Sequence, residues 1–190
     1  MPAELRLLLA PRETYTALAR RGREVGALGA LRRPCLAAIV IGASIAVGAT
    51  RHVTPALLVS VTACWLFVVM LQLAVGVAVI AGPARRTVGL PRAIDLFFAS
   101  HVPWSLWLLL AAAWAPSPLG RPLMPLLCSA AVPVLLTVRM VAAFFGGVLE
   151  LDPREARLRT AIQQLATWGI PLLLYATAVG WLPRLLEQLR

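Results

Sequence analysis

Residues 52–84 read HVTPALLVSVTACWLFVVMLQLAVGVAVIAGPA, a stretch without a single Asp, Glu, Lys or Arg. About 20 apolar residues are enough for a helix to cross the hydrocarbon core of a bilayer. A helix also satisfies its own backbone hydrogen bonds, which lipid cannot do for it. The stretch is therefore expected to be a transmembrane helix. Thr54 offers a hydroxyl to cap its start, and Pro55 suits the first helical position. Gly82-Pro83 is expected to end it. A helix over 55–81 is about 40 Å long at 1.5 Å per residue. That exceeds a core of about 30 Å, so the helix tilts or projects into the interface.

Two further runs, Leu96 to Gly120 and Thr160 to Pro183, are equally free of charge. The chain of 190 residues is 60% hydrophobic and 14% charged, against about 25% charged in a soluble domain. This composition excludes a water-soluble fold. The expected fold is all-α: a polytopic transmembrane bundle over 34–190, preceded by a cytoplasmic amphipathic segment over 1–33. The five expected spans are 34–50, 55–81, 93–115, 123–149 and 160–182. Pro103 and Pro171 are expected to kink the third and fifth. A short rigid loop, Pro116 to Pro122, separates the third from the fourth. Asp152-Pro153-Arg154-Glu155 has the cap, proline and acidic residue of a helix start.

All 18 basic residues are Arg, and Lys and Asn are absent, a bias that suggests a GC-rich bacterial genome. Thirteen of the Arg fall in segments 1–33, 83–92 and 150–159. Arg51, Arg121, Arg184 and Arg190 fall on the opposite side, and Arg139 lies within the fourth span. The excess of positive charge marks the cytoplasmic side. The amino terminus is thus expected in the cytoplasm and the carboxy terminus outside, across a bacterial inner membrane. From Pro11 onward Tyr15, Leu18, Gly22, Val25 and Leu28 recur near helical spacing, as in a helix lying on the membrane. The net charge of +10 does not indicate nucleic acid, because no basic, ring-bearing surface outside the spans is long enough. Arg20, Arg21, Arg23, Arg32, Arg33, Arg85 and Arg86 are instead expected to contact anionic headgroups.

Two rows of small residues, Ala38/Gly42/Ala46 and Ala74/Ala78/Gly82, recur at four-residue spacing and allow close helix packing. Arg139 is a charge within a span, which is costly and often functional. Asp95 and His101 share its half of the membrane, and an Arg139–Asp95 pair locking the third and fourth spans is expected. The competing expectation is an Arg139 that extends to the headgroups. His101 is the one candidate for a cofactor ligand, since a lone His can be axial. With no second ligand beside it, a packing role is the stronger expectation, and neither cofactor nor metal is anticipated. Ser44 with His101 would be the minimum of an intramembrane nucleophile and base, but no site for an oxyanion accompanies them. Cys35, Cys64 and Cys128 are expected to pack as small hydrophobes. No phosphate-binding loop, His-Glu-x-x-His or dinucleotide fingerprint is present, and no enzymatic activity is expected.

Three pieces of the chain resemble the Yip family of small five-span membrane proteins in its bacterial form. The first is Leu9-Ala10-Pro11-Arg12-Glu13-Thr14-Tyr15, similar to the family's proline-to-aromatic start before a cytoplasmic helix. The second is Asp95-Leu96-Phe97-Phe98-Ala99-Ser100-His101-Val102-Pro103, similar to its third span. The third is Val138-Arg139-Met140-Val141-Ala142-Ala143-Phe144-Phe145-Gly146-Gly147-Val148, followed by Leu151-Asp152-Pro153-Arg154-Glu155-Ala156, similar to its fourth span and the next helix start. Arg139 departs from the pattern, which often has an aromatic residue near there. The resemblance implies five spans and a cytoplasmic amino terminus. Eukaryotic members are linked to small GTPases and vesicle traffic, while bacterial members have no assigned reaction. The function expected is a non-enzymatic scaffold or accessory subunit of a larger membrane complex, with membrane protein subunits and anionic lipids as partners. The alternative is a small transporter or lipid-handling protein gated at Pro103 and Pro171.

Overall fold

Thr54 accepts a hydrogen bond from the Leu57 N–H at 3.2 Å, and Pro55 occupies the first helical position. The apolar stretch therefore starts as a helix where its local chemistry dictates. The computed structural model describes residues 3–21, 25–114, 125 and 128–180, and the regular structure among them is entirely helical. In chain order the elements are α1 (Ala3–Leu9), α2 (Pro11–Arg20), α3 (Ala27–Ala30), α4 (Arg32–Thr50) and α5 (Pro55–Arg86). They continue with α6 (Leu90–Phe98), a 3-10 turn (Ala99–His101), α7 (Val102–Trp114), α8 (Ala131–Gly147) and α9 (Pro153–Gly180). Among the described residues three stretches are long and apolar enough to cross a membrane: Ala27–Thr50, Pro55–Arg86 and Leu90–Ala113. The apolar α8, at 17 residues, is shorter. The loop expected at 116–122, the first residues of the fourth expected span, Arg23, and the end of the fifth span with Trp181 lie outside the described residues.

Gly82-Pro83 does not end α5, which runs on to Arg86. Proline deprives the helix of one donor, to the carbonyl four residues back, here that of Val79. Arg159 Nη1 donates to the Val79 oxygen instead, and the helix continues. Beyond its end the chain turns at Gly89, whose φ is 80° and whose N–H reaches the Ala84 carbonyl at 2.8 Å. Pro103 acts more strongly. It has no N–H for the Ala99 carbonyl, which accepts from the Val102 N–H, and the third apolar stretch is interrupted by a 3-10 turn. Pro171 lies within a continuous α9.

α4 packs on α5 and α7. Its row Ala38, Gly42 and Ala46 is buried. A Cβ on Gly42 would fall 2.1 Å from Thr62 Oγ1 and 3.0 Å from Thr62 Cα, so this row brings the α4 and α5 backbones together. The second row lies otherwise than expected. Ala74, Ala78 and Gly82 are exposed, because the buried stripe of α5 runs through Val69, Gly76, Val79, Ile80 and Ala84 on the opposite side. Gly76 takes the close contact, where a Cβ would meet Phe97 Cε1 at 2.8 Å.

The core sits at one end of the bundle, under a roof made by α1 and α2. Tyr15 of α2 is fully buried, as are Phe97, Phe144, Phe145, Met140, Val141 and Ile80. Tyr15 and Phe97 each meet Phe144 edge-on, at centroid distances of 5.7 and 5.8 Å. Burying one such ring stabilises by about 1.5–3 kcal/mol, and each edge-on pair adds about 0.5–1.5. The apolar face of the amino-terminal segment is thus turned into protein at Tyr15, while Leu28 of α3 is 87% exposed. The Tyr15 hydroxyl is buried without a partner. Burial holds its proton far above the ordinary phenol range, with the nearby Arg33 charge pulling the other way.

Candidate functional site

Asp152 Oδ1 accepts from the N–H groups of Arg154 and Glu155, at 2.8 and 3.2 Å, and starts α9 as its sequence predicts. Glu155 then holds Arg159 Nη2 at 2.8 Å, which aims the guanidinium at the Val79 carbonyl. The same device recurs three times. Arg92 Nη2 donates to the Leu18 carbonyl at 2.7 Å, Arg139 Nη2 to that of Leu9 at 3.1 Å, and Arg51 Nη1 to that of Ala112 at 3.3 Å. The Leu9 and Leu18 carbonyls lie in the last turn of a helix, where carbonyls have no helical donor, and the residue four after Ala112 is Pro116, which has no N–H to give. An arginine from a distant element supplies one.

The expected partners of Asp95 and Arg139 are therefore reassigned. Asp95 Oδ1 is held by Arg33 Nε at 3.0 Å, with the two side chains 18% and 27% exposed. Arg33 enters from the start of α4. Arg139, exposed on α8, reaches the end of α1 rather than α6. α4 is consequently tied to the α6–α7 unit at both ends, by Arg33–Asp95 and by Arg51–Ala112.

His101 is buried in the 3-10 turn, stacked on Phe98 at 4.9 Å with its ring edge toward Phe97 at 5.6 Å. Its Nδ1 lies 3.5 Å from Ser100 Oγ, and Ser100 itself donates to the Phe97 carbonyl at 2.7 Å. This is an aromatic packing environment. Ser44 Oγ is buried without a hydrogen-bond partner, so the Ser44–His101 arrangement of a nucleophile and its base is not assembled. No group of three or more metal-binding side chains occurs among the described residues. Cys35, Cys64 and Cys128 are all exposed rather than in the packing; for Cys35 and Cys64 the buried stripes of α4 and α5 fall on other positions.

The arginines expected at headgroups divide. Arg20, Arg21, Arg32, Arg85 and Arg86 are exposed, whereas Arg33 is committed to Asp95. Arg21, Arg32, Arg33 and Arg92, with Asp95, line a groove of about 610 Å³ between the α2–α3 segment and the starts of α4 and α6. Its floor is apolar, through Leu36, Val40 and Val102. Leu36 is also 51% exposed, so the floor continues onto the outward face of α4. Arg92 carries a buried Nε–H that finds no acceptor. A buried donor left unpaired costs about 1–3 kcal/mol. The basic residues are evident in the sequence but the cavity is not, because α2 and α6 come together only through the fold.

No protein-family model matches the chain, and neither a curated protein nor a solved structure does. The resemblance to the Yip family rests on the three sequence pieces quoted above.

Proposed function

We propose that this chain is a non-enzymatic, five-span integral protein of a bacterial inner membrane, with its amino terminus in the cytoplasm. It serves as a scaffold or accessory subunit of a larger membrane complex. The observation that carries the reading is the second half of α9. Up to Thr167 the helix packs through Ala156, Thr160, Gln163 and Thr167. Beyond it Trp168, Gly169, Ile170, Leu172, Leu173 and Leu174 are all exposed. A helix that is apolar on every side belongs in lipid or against other helices. Neighbouring faces are also free: Val59, Leu66, Phe67 and Met70 of α5 are 44–68% exposed. The partners fitting these surfaces are apolar membrane subunits and lipid, with no role for a cofactor, metal or nucleic acid. Purification in native-membrane discs followed by mass spectrometry tests the proposal. Another membrane protein is expected in fixed ratio, and is lost when Leu172, Leu173 and Leu174 become Ala. Recovery of the chain alone would end the reading.

The groove beside α2 and α3 favours a second reading, a lipid-handling protein. Val102 and Ser105, at the break before and after Pro103, line it. Lipid exchange between vesicle leaflets, accelerated by the reconstituted protein, would separate this reading from the first.

A further inference from the structure

We propose that the groove is a binding site for one anionic glycerophospholipid, whose phosphate sits among Arg21, Arg32 and Arg92. The inference deepens the lipid-handling reading but rests on the groove alone. Among the described lining residues four Arg face one acid, Asp95. Arg33 and Asp95 neutralise each other at 3.0 Å and form one wall. A net positive site of Arg21, Arg32 and Arg92 remains. Arg92 brings a buried Nε–H without an acceptor, while its Nη2 is anchored on the Leu18 carbonyl. A phosphate entering the groove offers the forked geometry guanidinium prefers.

The rest of the ligand is read from the walls. Among the described residues no aromatic ring lines the groove, so nothing among them would stack a nucleobase. Leu36, Val40 and Val102 floor it. Leu28, Leu31, Leu36 and Ile39, exposed by 87, 41, 51 and 46%, extend the apolar surface outward. A basic head site opening onto an outward apolar face fits an amphiphile with a negative headgroup and an acyl chain. A volume of about 610 Å³ is ample for a headgroup and lies within the usual range of ligand sites, about 300–1,000 Å³.

Gly26 allows a test that leaves the arginines in place. It lines the groove, its backbone is extended at φ −69°, and a Cβ there meets nothing within 4 Å. Gly26→Leu should fill the groove and disturb no packing. The delipidated full-length protein is titrated with phosphatidylglycerol or phosphatidylcholine and followed by native mass spectrometry, with thermal melting as the folding control. One phosphatidylglycerol is expected to bind at least about tenfold more tightly than phosphatidylcholine, the scale of one charge-assisted hydrogen bond. Gly26→Leu and Arg32→Gln should each remove most of that preference at unchanged Tm, and Arg85→Gln/Arg86→Gln should keep it. Equal loss in the Arg85/Arg86 variant, or full binding in Gly26→Leu, would overturn the site. Competition by millimolar inorganic phosphate as effective as that by the lipid would overturn the lipid assignment. Lipid bound at the groove without any exchange between leaflets would leave the site standing and end the handling reading.

Discussion

At the scale of single residues, the Val79 carbonyl is the most informative atom in the fold. Pro83 removes its helical donor, and Arg159 replaces it from the start of α9, with Glu155 fixing the direction. Arg159→Ala is expected to lower stability by about 1–3 kcal/mol, the cost of an orphaned buried acceptor. Pro83→Ala in the same background should recover part of it by restoring the helical bond, as read by Tm. Tyr15 gives a second prediction. Its buried hydroxyl has no partner, so Tyr15→Phe should be neutral or stabilising. Burial raises the folded-state phenol pKa above its ordinary value. The unfolded chain therefore loses this proton first, and stability falls as pH climbs above about 10. Melting curves across alkaline pH should show that fall in the parent and a shallower one in Tyr15→Phe. Local chemistry at this scale was legible: Thr54 and Asp152 cap where their spacing places them. The partners of Asp95 and Arg139 were not, because Arg33 lies 62 residues from Asp95 and Leu9 lies 130 from Arg139.

At the scale of elements, period alone does not say which of two small-residue rows faces the protein. Ala38/Gly42/Ala46 and Ala74/Ala78/Gly82 read alike in the sequence, yet only the first is buried. The difference lies in neighbours: Phe97 claims the α5 face that carries Gly76, and the second row is left on the far side. Gly42→Ala should destabilise by about 1–3 kcal/mol, as overpacking does, since its methyl would overlap Thr62. Gly82→Ala meets nothing within 4 Å and should be neutral or gain up to about 1 kcal/mol of helix propensity. Thermal melts of the two variants in one detergent compare them directly. Proline behaves in the same context-dependent way. Pro103 breaks its stretch into a 3-10 turn, whereas Pro83 is absorbed because a side chain compensates.

At the scale of the whole molecule, the segregation of charge along the sequence already marks the three long apolar helices found among the described residues. The tertiary plan does not: a roof of α1 and α2 buries Tyr15, and α4 is tied to α6–α7 at both ends. The segment whose periodicity suggests a helix lying on lipid supplies part of the core through Tyr15, edge-on to Phe144. The proposed topology predicts that an amino-terminal tag is protected in intact cells while a carboxy-terminal tag is reached by an external protease. Equal protection of both tags would refute an odd number of crossings.

The four arginine contacts to carbonyls have a consequence for how this chain can drift. A main-chain oxygen is present whatever side chain stands beside it, so positions 9, 18, 79 and 112 carry no identity requirement from these contacts. The whole constraint falls on Arg139, Arg92, Arg159 and Arg51. Attachments of this kind leave no paired substitutions behind, and a method that infers proximity from correlated change would pass over the joints that fasten this bundle.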